Sequence, residues 1–364
     1  MSWNDRRILD LLGMALPIIQ APMAGPNDAA LAMAVTAAGG LGSLPCALMS
    51  PQQVESEWGR MRAASQGPYN LNFFAHQNPA PDAARDAAWR ARLAPYYREL
   101  GLDPDMPITA SSRAPFDDTL CALVERLRPP VVSFHFGLPE PALLARVKAT
   151  GARVLGSATT TAEAVWLEQH GCDAVIAQGA EAGGHRGIFL GDDVTTQPGL
   201  FALLPLVVDA VKVPVIAAGG IADARGIVAA LALGASAVQI GTAYLFCPEA
   251  KLPAPHRAAL MAARDEDTAL TNLFTGRPAR GLMNRVMREV GPLSELAPAF
   301  PTAGGALAPL RAATEPQGRG DFMSLWSGQA AALGRHTAQG LGAGELTRQL
   351  AHQALARLQP PVRG

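Results

Sequence analysis

The chain has 364 residues, 49% of them hydrophobic, and a formal net charge of −1. That apolar content excludes wholesale disorder, and the length suits one large α/β barrel with an elaboration, or two ordinary domains. The near-zero charge gives no electrostatic case for nucleic acid or for an anionic membrane surface.

The opening "MSWNDRRILDLLG" lacks an apolar stretch followed by a small-residue cleavage site, so no signal peptide is expected. No run approaches the ~18 apolar residues of a membrane span. The four cysteines (Cys46, Cys121, Cys172, Cys247) are far apart and form no CxxC pair. Reduced thiols in a cytoplasmic protein fit this better than a disulfide framework or a zinc site.

Eight short runs rich in aliphatic and β-branched residues then recur: 17–23, 39–45, 69–74, 131–137, 153–159, 174–179, 214–220 and 237–245. Most are continuously apolar, as expected of strands in a parallel sheet covered on both faces. Helix signals fill several gaps. Thr160 offers an N-cap with Glu163 three residues on and Gly171 as a stop. Asp223 caps a second helix that ends before Gly234. Strand–helix–strand units in series imply right-handed crossovers, and eight of them favour a closed (β/α)8 TIM barrel over an open sheet.

Two places break the rhythm. Residues 76–129 are Pro- and Arg-rich and too long for a simple crossover. Beyond Phe246, mixed helix and loop lead through a Pro/Gly-rich stretch to "DFMSLWSGQAAALGR" (321–335), which reads as the barrel's last helix. The expected organisation is a barrel over 1–245 and 321–364, with a second, smaller cap domain inserted at 246–320.

Ligands of such barrels bind at the carboxyl ends of the strands, with phosphate commonly after strands seven and eight. Strand seven ends in Gly219–Gly220 and strand eight carries Gly241 and Thr242, where glycine lets backbone N–H groups approach an anion. The other ends offer neutral amides and small residues: Gln20, Ala21, Pro22, Met23, Asn72, Ser157 and Gln178. Amides suit the edge of a flavin ring, although for each alone a loop-holding role is equally natural. None of Lys148, Lys212 and Lys251 lies at a strand end, which leaves a Schiff-base mechanism without a nucleophile. Glu181 is the one carboxylate there, a poor basis for a metal site. The hard chemistry is therefore assigned to an organic cofactor, and the pattern points to FMN.

Among the histidines, His76, His170, His256, His336 and His352 read as surface or structural residues. His135, inside "VSFHFG", is a core histidine by default and a possible substrate contact by alternation. His185 sits in "AEAGGHRG", where glycines allow an imidazole to lie over a cofactor, and its titration range suits removal of a proton next to an electron-withdrawing group.

With these residues in place, the chain resembles the nitronate monooxygenases, formerly called 2-nitropropane dioxygenases. The motifs that carry the likeness, in order, are "QAPMAG" (20–25), "GGLGS" (39–43), "NLNFF" (70–74), "VSFHFGLP" (132–139), "QGAEAGGHRG" (178–187), "AAGGIAD" (217–223) and "QIGTAYL" (239–245). The likeness continues more loosely through "FTGRPARGL" and "LWSGQ". "AEAGGHRG" and "SFHFGLP" look like the class acting without a nicotinamide cofactor. The resemblance implies an FMN-bound barrel that oxidises alkyl nitronates, such as propionate 3-nitronate, with O2 to a carbonyl compound and nitrite. It implies FMN contacts at Gln20, Ala21, Pro22, Met23, Asn72, Gln178, Gly183, Gly220, Gln239, Ile240, Gly241 and Thr242, and His185 as base toward neutral nitroalkanes. Two rival readings share the scaffold: an NAD(P)H-dependent reductase of an enoyl thioester or quinone, and a non-catalytic FMN-binding barrel. A sugar-phosphate isomerase or aldolase is more distant. The sequence does not give the oligomeric state.

Overall fold

The computed structural model describes residues 3–108 and 113–358. Each of the eight apolar runs forms a strand, and the chain adds a ninth short one between the sixth and seventh. In chain order they are β1 (Ile18–Gln20), β2 (Gly42–Pro45), β3 (Tyr69–Phe74), β4 (Val131–His135), β5 (Arg153–Ala158), β6 (Ala174–Gln178), β7 (Gly184–His185), β8 (Val215–Ala218) and β9 (Ala237–Ile240). Without β7, they pair in parallel in the order β1-β9-β8-β6-β5-β4-β3-β2. The ring closes between β2 and β1 through a parallel bridge, Ile19 to Leu41. There Gln20 N donates to Leu41 O at 2.9 Å and Leu41 N to Ile18 O at 3.0 Å. This is the (β/α)8 barrel, and the continuous burial of its strands explains their unbroken apolar sequence. Among the described residues no helix is long and apolar enough to cross a membrane.

Local chemistry sets the helix ends. Asp223 accepts from Arg225 N and Gly226 N at the start of helix Ala224–Ala232, and Gly234 leaves that helix at φ +98°. Thr160 accepts from Glu163 N at the start of Thr161–Gln169. Glu163, however, does not return its carboxylate to the cap. It is buried and takes Thr159 N (2.7 Å), the Thr159 hydroxyl (2.6 Å), Phe189 N (2.6 Å) and Leu190 N (3.2 Å). The expected cap partner instead pins the segment that follows His185. At Gly42 a Cβ would stand 2.1 Å from Ala32 O, so helix Ala29–Ala37 packs on β2 only because that position is glycine.

A second apolar core lies outside the barrel. Leu273, Phe274, Val286, Met287, Leu307, Leu310 and Phe322 pack with Trp89, Leu93, Tyr96 and Tyr97 from helix Ala83–Glu99. Trp89 Nε1 donates to Ala303 O (3.0 Å) and the Tyr97 hydroxyl to Ala306 O (2.7 Å). The long break between β3 and β4 thus supplies the helix on which this second core rests. Beside it, β10 (Thr268–Thr271) and β11 (Ala279–Leu282) form an antiparallel sheet whose third strand is β7. The stretch 321–335 is not one helix: helix Ala331–Ala338 begins only after a segment in which Trp326 bridges Gly281. Its apolar residues divide: Phe322 joins the second core, while Met323 and Leu325 pack with Leu245, Leu260 and Leu282. Among the described residues the last helix is Ala343–Leu358.

Candidate active site at the carboxyl ends of the strands

The carboxyl ends of the barrel strands open into a cleft of about 1420 Å³, counted to its open mouth. It is lined by Ala21, Pro22, Met23, Asn72, Gln178, Gly183, Gly220, Gln239, Gly241 and Thr242, together with His135 and His185. Two residues expected at its surface lie behind it. Gln20 is fully buried: its Nε2 donates to Asn27 Oδ1 (2.8 Å) and to Ala21 O, and its Oε1 accepts from Ser43 N (2.9 Å). Its amide is therefore spent on bracing β1 against β2. The Ile240 side chain points into the core and its carbonyl accepts from Ala21 N (2.8 Å).

At one end of the cleft, Gly219 and Gly220 turn the chain after β8 with φ of +115° and +69°, conformations that favour glycine. Opposite them runs the segment that precedes helix Ala331–Ala338. Gly328 N donates to Thr242 Oγ1 (2.9 Å) and Gln329 N to Glu181 O (3.0 Å). Gly183 allows this approach, since a Cβ there would stand 2.4 Å from Gly328 N. The Glu181 carboxylate also reaches the cleft, yet both oxygens accept from Leu200 N at 2.9 Å and cap helix Leu200–Ala210. Gln239 Oε1 is buried at the wall without a hydrogen-bond partner, an acceptor left for a ligand donor.

At the other end lies His185. It belongs to β7, paired with Ala279 of β11, so the glycine-rich stretch is an edge strand of the second sheet rather than a free loop. Gly184 enters it at φ +71°. Its backbone is gripped from the barrel: Gln178 Nε2 donates to His185 O (3.0 Å) and Gln178 Oε1 accepts from Gly187 N (2.8 Å). His135 Nε2 stands 3.2 Å from the same carbonyl. A carbonyl only accepts, so His135 carries its proton on Nε2. Next door, Arg186 is fully buried and donates to Gln197 Oε1 (2.7 Å), Gly179 O (2.6 Å) and Gln178 O (2.7 Å). The turn that presents His185 is therefore fixed by four side chains besides its own.

The imidazole of His185 meets Thr275 Oγ1 at Nε2, 3.0 Å away. Phe74, Phe136, Phe300 and Trp326 surround it, with ring centroids 5.5–6.0 Å distant. Burial, followed by the positive charge of Arg113 and the neighbouring His135, Arg277 and His76, holds its pKa well below the ordinary histidine value. His135 is pulled down to about 4, chiefly by burial. His185 is consequently a neutral imidazole at pH 7, able to take a proton but not to present a charge.

Of the other histidines, His170, His336 and His352 are exposed, and His256 is buried with its Nε2 3.1 Å from Trp326 O. His76, expected to be surface or structural, is buried against Phe300, 4.7 Å between centroids, beside the aromatic wall. Thr275, Arg277, Phe300 and Trp326 were not legible as site residues. They lie 90 or more positions from His185, and only the fragments "FTGRPARGL" and "LWSGQ" hinted at two of these regions.

A family model for nitronate monooxygenase matches residues 5–352. A nitronate monooxygenase from Pseudomonas aeruginosa is 42% identical over 95% of this chain and 98% of its own. Among solved structures, a nitroalkane oxidase from Streptomyces ansochromogenes superposes with a TM-score of 0.85 at 38% identity, covering 96% of this chain and 98% of that one. FabK from Thermotoga maritima is more distant, with a TM-score of 0.72 and 26% identity over 96% of both chains.

Proposed function

The chain belongs to the nitronate monooxygenase family, and from that premise we propose that it oxidises small alkyl nitronates with O2, with FMN as cofactor, to a carbonyl compound and nitrite. The observation that carries the proposal is the placement of His185: a neutral imidazole within an aromatic wall, its carbonyl gripped by Gln178 and His135, at one end of the cleft formed by the carboxyl ends of the barrel strands. The residues present suit the flavin. Gly183, Gly220 and Gly241 line the anion end without side chains, beside Thr242, and Gln239 Oε1 is an acceptor awaiting a ring N–H. Ala21, Pro22, Met23, Asn72 and Gln178 would line the ring. When bound, FMN supplies the electron transfer between substrate and oxygen.

The protein's own contribution is positioning and proton removal. For a neutral nitroalkane, the α-C–H bond breaks, its electron pair moves into the C=N bond of the nitronate, and the proton passes to the His185 imidazole. A nitronate supplied ready-made needs no such step. Phe74 lines this end of the cleft with Phe136 and Phe300 packed behind it, an apolar wall that favours short alkyl chains such as that of propionate 3-nitronate. We assign the cap over this end to 246–320 together with helix Ala83–Glu99, because the two share one core. The four cysteines are buried and unpaired, in keeping with a reducing, cytoplasmic setting.

The test is nitrite release from propionate 3-nitronate in air by FMN-loaded protein without NAD(P)H. Robust nitrite is expected. No nitrite, with rapid bleaching of the flavin by NADPH, would overturn the proposal in favour of a reductase.

A further inference from the structure

The hydroxyl of Thr275 meets the His185 ring at Nε2, and it comes from the turn between β10 and β11, not from the barrel. Thr275 is buried in the turn between β10 and β11. Its Oγ1 lies 3.0 Å from His185 Nε2, 3.3 Å from Arg277 O, and accepts from Arg277 N at 3.4 Å. A hydroxyl has one proton and two lone pairs, so these three contacts have two possible assignments. In one, the hydroxyl donates to His185 Nε2; Arg277 O then receives nothing from it and one lone pair is idle. In the other, the hydroxyl donates to Arg277 O and accepts from both Arg277 N–H and His185 Nε2–H. Only the second uses every donor and acceptor, and buried polar groups are overwhelmingly satisfied.

We infer that Thr275 is a positioning residue that holds the His185 proton on Nε2 and so leaves Nδ1 as the nitrogen that accepts the substrate's α-proton. The inference rests on the base role proposed for His185. Without the Thr275 oxygen, Nε2–H faces aromatic rings, and the imidazole gains by shifting its proton to Nδ1 or by rotating. Either change removes the base while leaving the cleft intact. Thr275 and His185 belong to the same small sheet, through β11 and β7, while the His185 carbonyl is held from the barrel by Gln178 and His135.

The test compares Thr275→Val and Thr275→Ser holoenzymes on nitroethane and on pre-formed ethyl nitronate, with His185→Asn beside them. Thr275→Val keeps the shape and removes the hydroxyl. It is expected to lower kcat/KM for nitroethane by roughly 10- to 100-fold, the worth of one buried hydrogen bond. Turnover of ethyl nitronate should stay within twofold, and Thr275→Ser should restore nitroethane turnover. Equal loss on both substrates would mean a merely structural role, and no loss on either would mean that the hydroxyl does not set the tautomer; both overturn the inference. If His185→Asn spares nitroethane turnover, the base reading fails and takes this inference with it. If the unmodified enzyme releases no nitrite from ethyl nitronate, the fault lies in the proposed function instead.

Discussion

Replacing Gly183 by alanine tests where the cofactor's anionic end sits. A Cβ at that position would stand 2.4 Å from Gly328 N and 2.6 Å from Ser327 C, both backbone atoms that cannot rotate away. Ordinary contact begins near 3.4 Å, so the two segments must part by about 1 Å. That displacement stretches the Gly328 N to Thr242 Oγ1 and Gln329 N to Glu181 O bonds, now 2.9 and 3.0 Å, beyond useful length. Two neutral hydrogen bonds are worth ~0.5–1.5 kcal/mol each, and overpacking costs ~1–3 kcal/mol. A combined loss of about 2–6 kcal/mol at the closed site corresponds to roughly 30- to 20,000-fold weaker FMN binding. The assay is fluorescence titration of apoprotein with FMN. Thr242→Val, which removes the acceptor without the clash, should weaken binding by roughly tenfold at most. Gly59→Ala, in helix Pro51–Ala64 where a Cβ meets nothing within 4 Å, should leave it unchanged. Wild-type affinity in folded Gly183→Ala protein would refute the placement.

Stability should fall with acid earlier than carboxylate titration explains. His76, His135 and His256 are each pulled down to about 4, mainly by burial, and His185 lies well below its ordinary value, whereas the unfolded chain protonates them near 6.5. The unfolded state therefore binds more protons below that pH, and each buried histidine removes up to about 1.4 kcal/mol of stability per pH unit from about 6.5 down toward its folded value. Urea midpoints from pH 7.5 to 5 check this, and His256→Gln should flatten the slope; a midpoint constant to pH 5 would contradict it. For activity, the lowered His185 pKa keeps the base neutral in mild acid, so kcat/KM for nitroethane should show no acid limb at pH 6.5. Glu163→Gln sets an amide NH2 against backbone donors that now share a carboxylate, and should destabilise the protein by about 2–4 kcal/mol in urea denaturation. Wild-type stability would mean that those donors have other partners.

The barrel was legible because its strands are buried on both faces, which writes an unbroken apolar run into each. The ends of the strands were legible for the same reason, and with them most of the cleft. Gln20 shows the limit. An amide at a strand end looks alike whether it faces a ligand or, as here, braces Ser43 and Asn27. His185 shows another: a two-residue strand carries no periodicity, and its partners at 279–280 are nearly a hundred positions away. Glu163 was placed correctly at a helix start, yet its carboxylate went to donors of a different segment. A cap at 246–320 was legible, but not that its core would draw on helix Ala83–Glu99 from the separate break at 76–129. Neither buries a face alone.

The charges around His185 bear on which form of substrate the site prefers. Arg113 and Arg277 both lower its pKa. Glu163 accepts from four donors and its charge also reaches Arg277, while Glu181 holds the start of a helix. Proton removal from a neutral nitroalkane creates an imidazolium and a nitronate together, so a positive field opposes one product while it favours the other, and much of its effect cancels. A nitronate that arrives already ionised meets only the favourable half. A unit charge at ~7 Å in an effective dielectric of ~20 is worth about 2 kcal/mol, so even one such cation shifts the balance by more than tenfold. The site should therefore turn over ethyl nitronate with a kcat/KM at least tenfold above that for nitroethane, and high salt should narrow the gap little because the cations are largely buried. Equal rates on the two forms would mean that the arginines do not act on the substrate, and that the neutrality of His185 comes from burial alone.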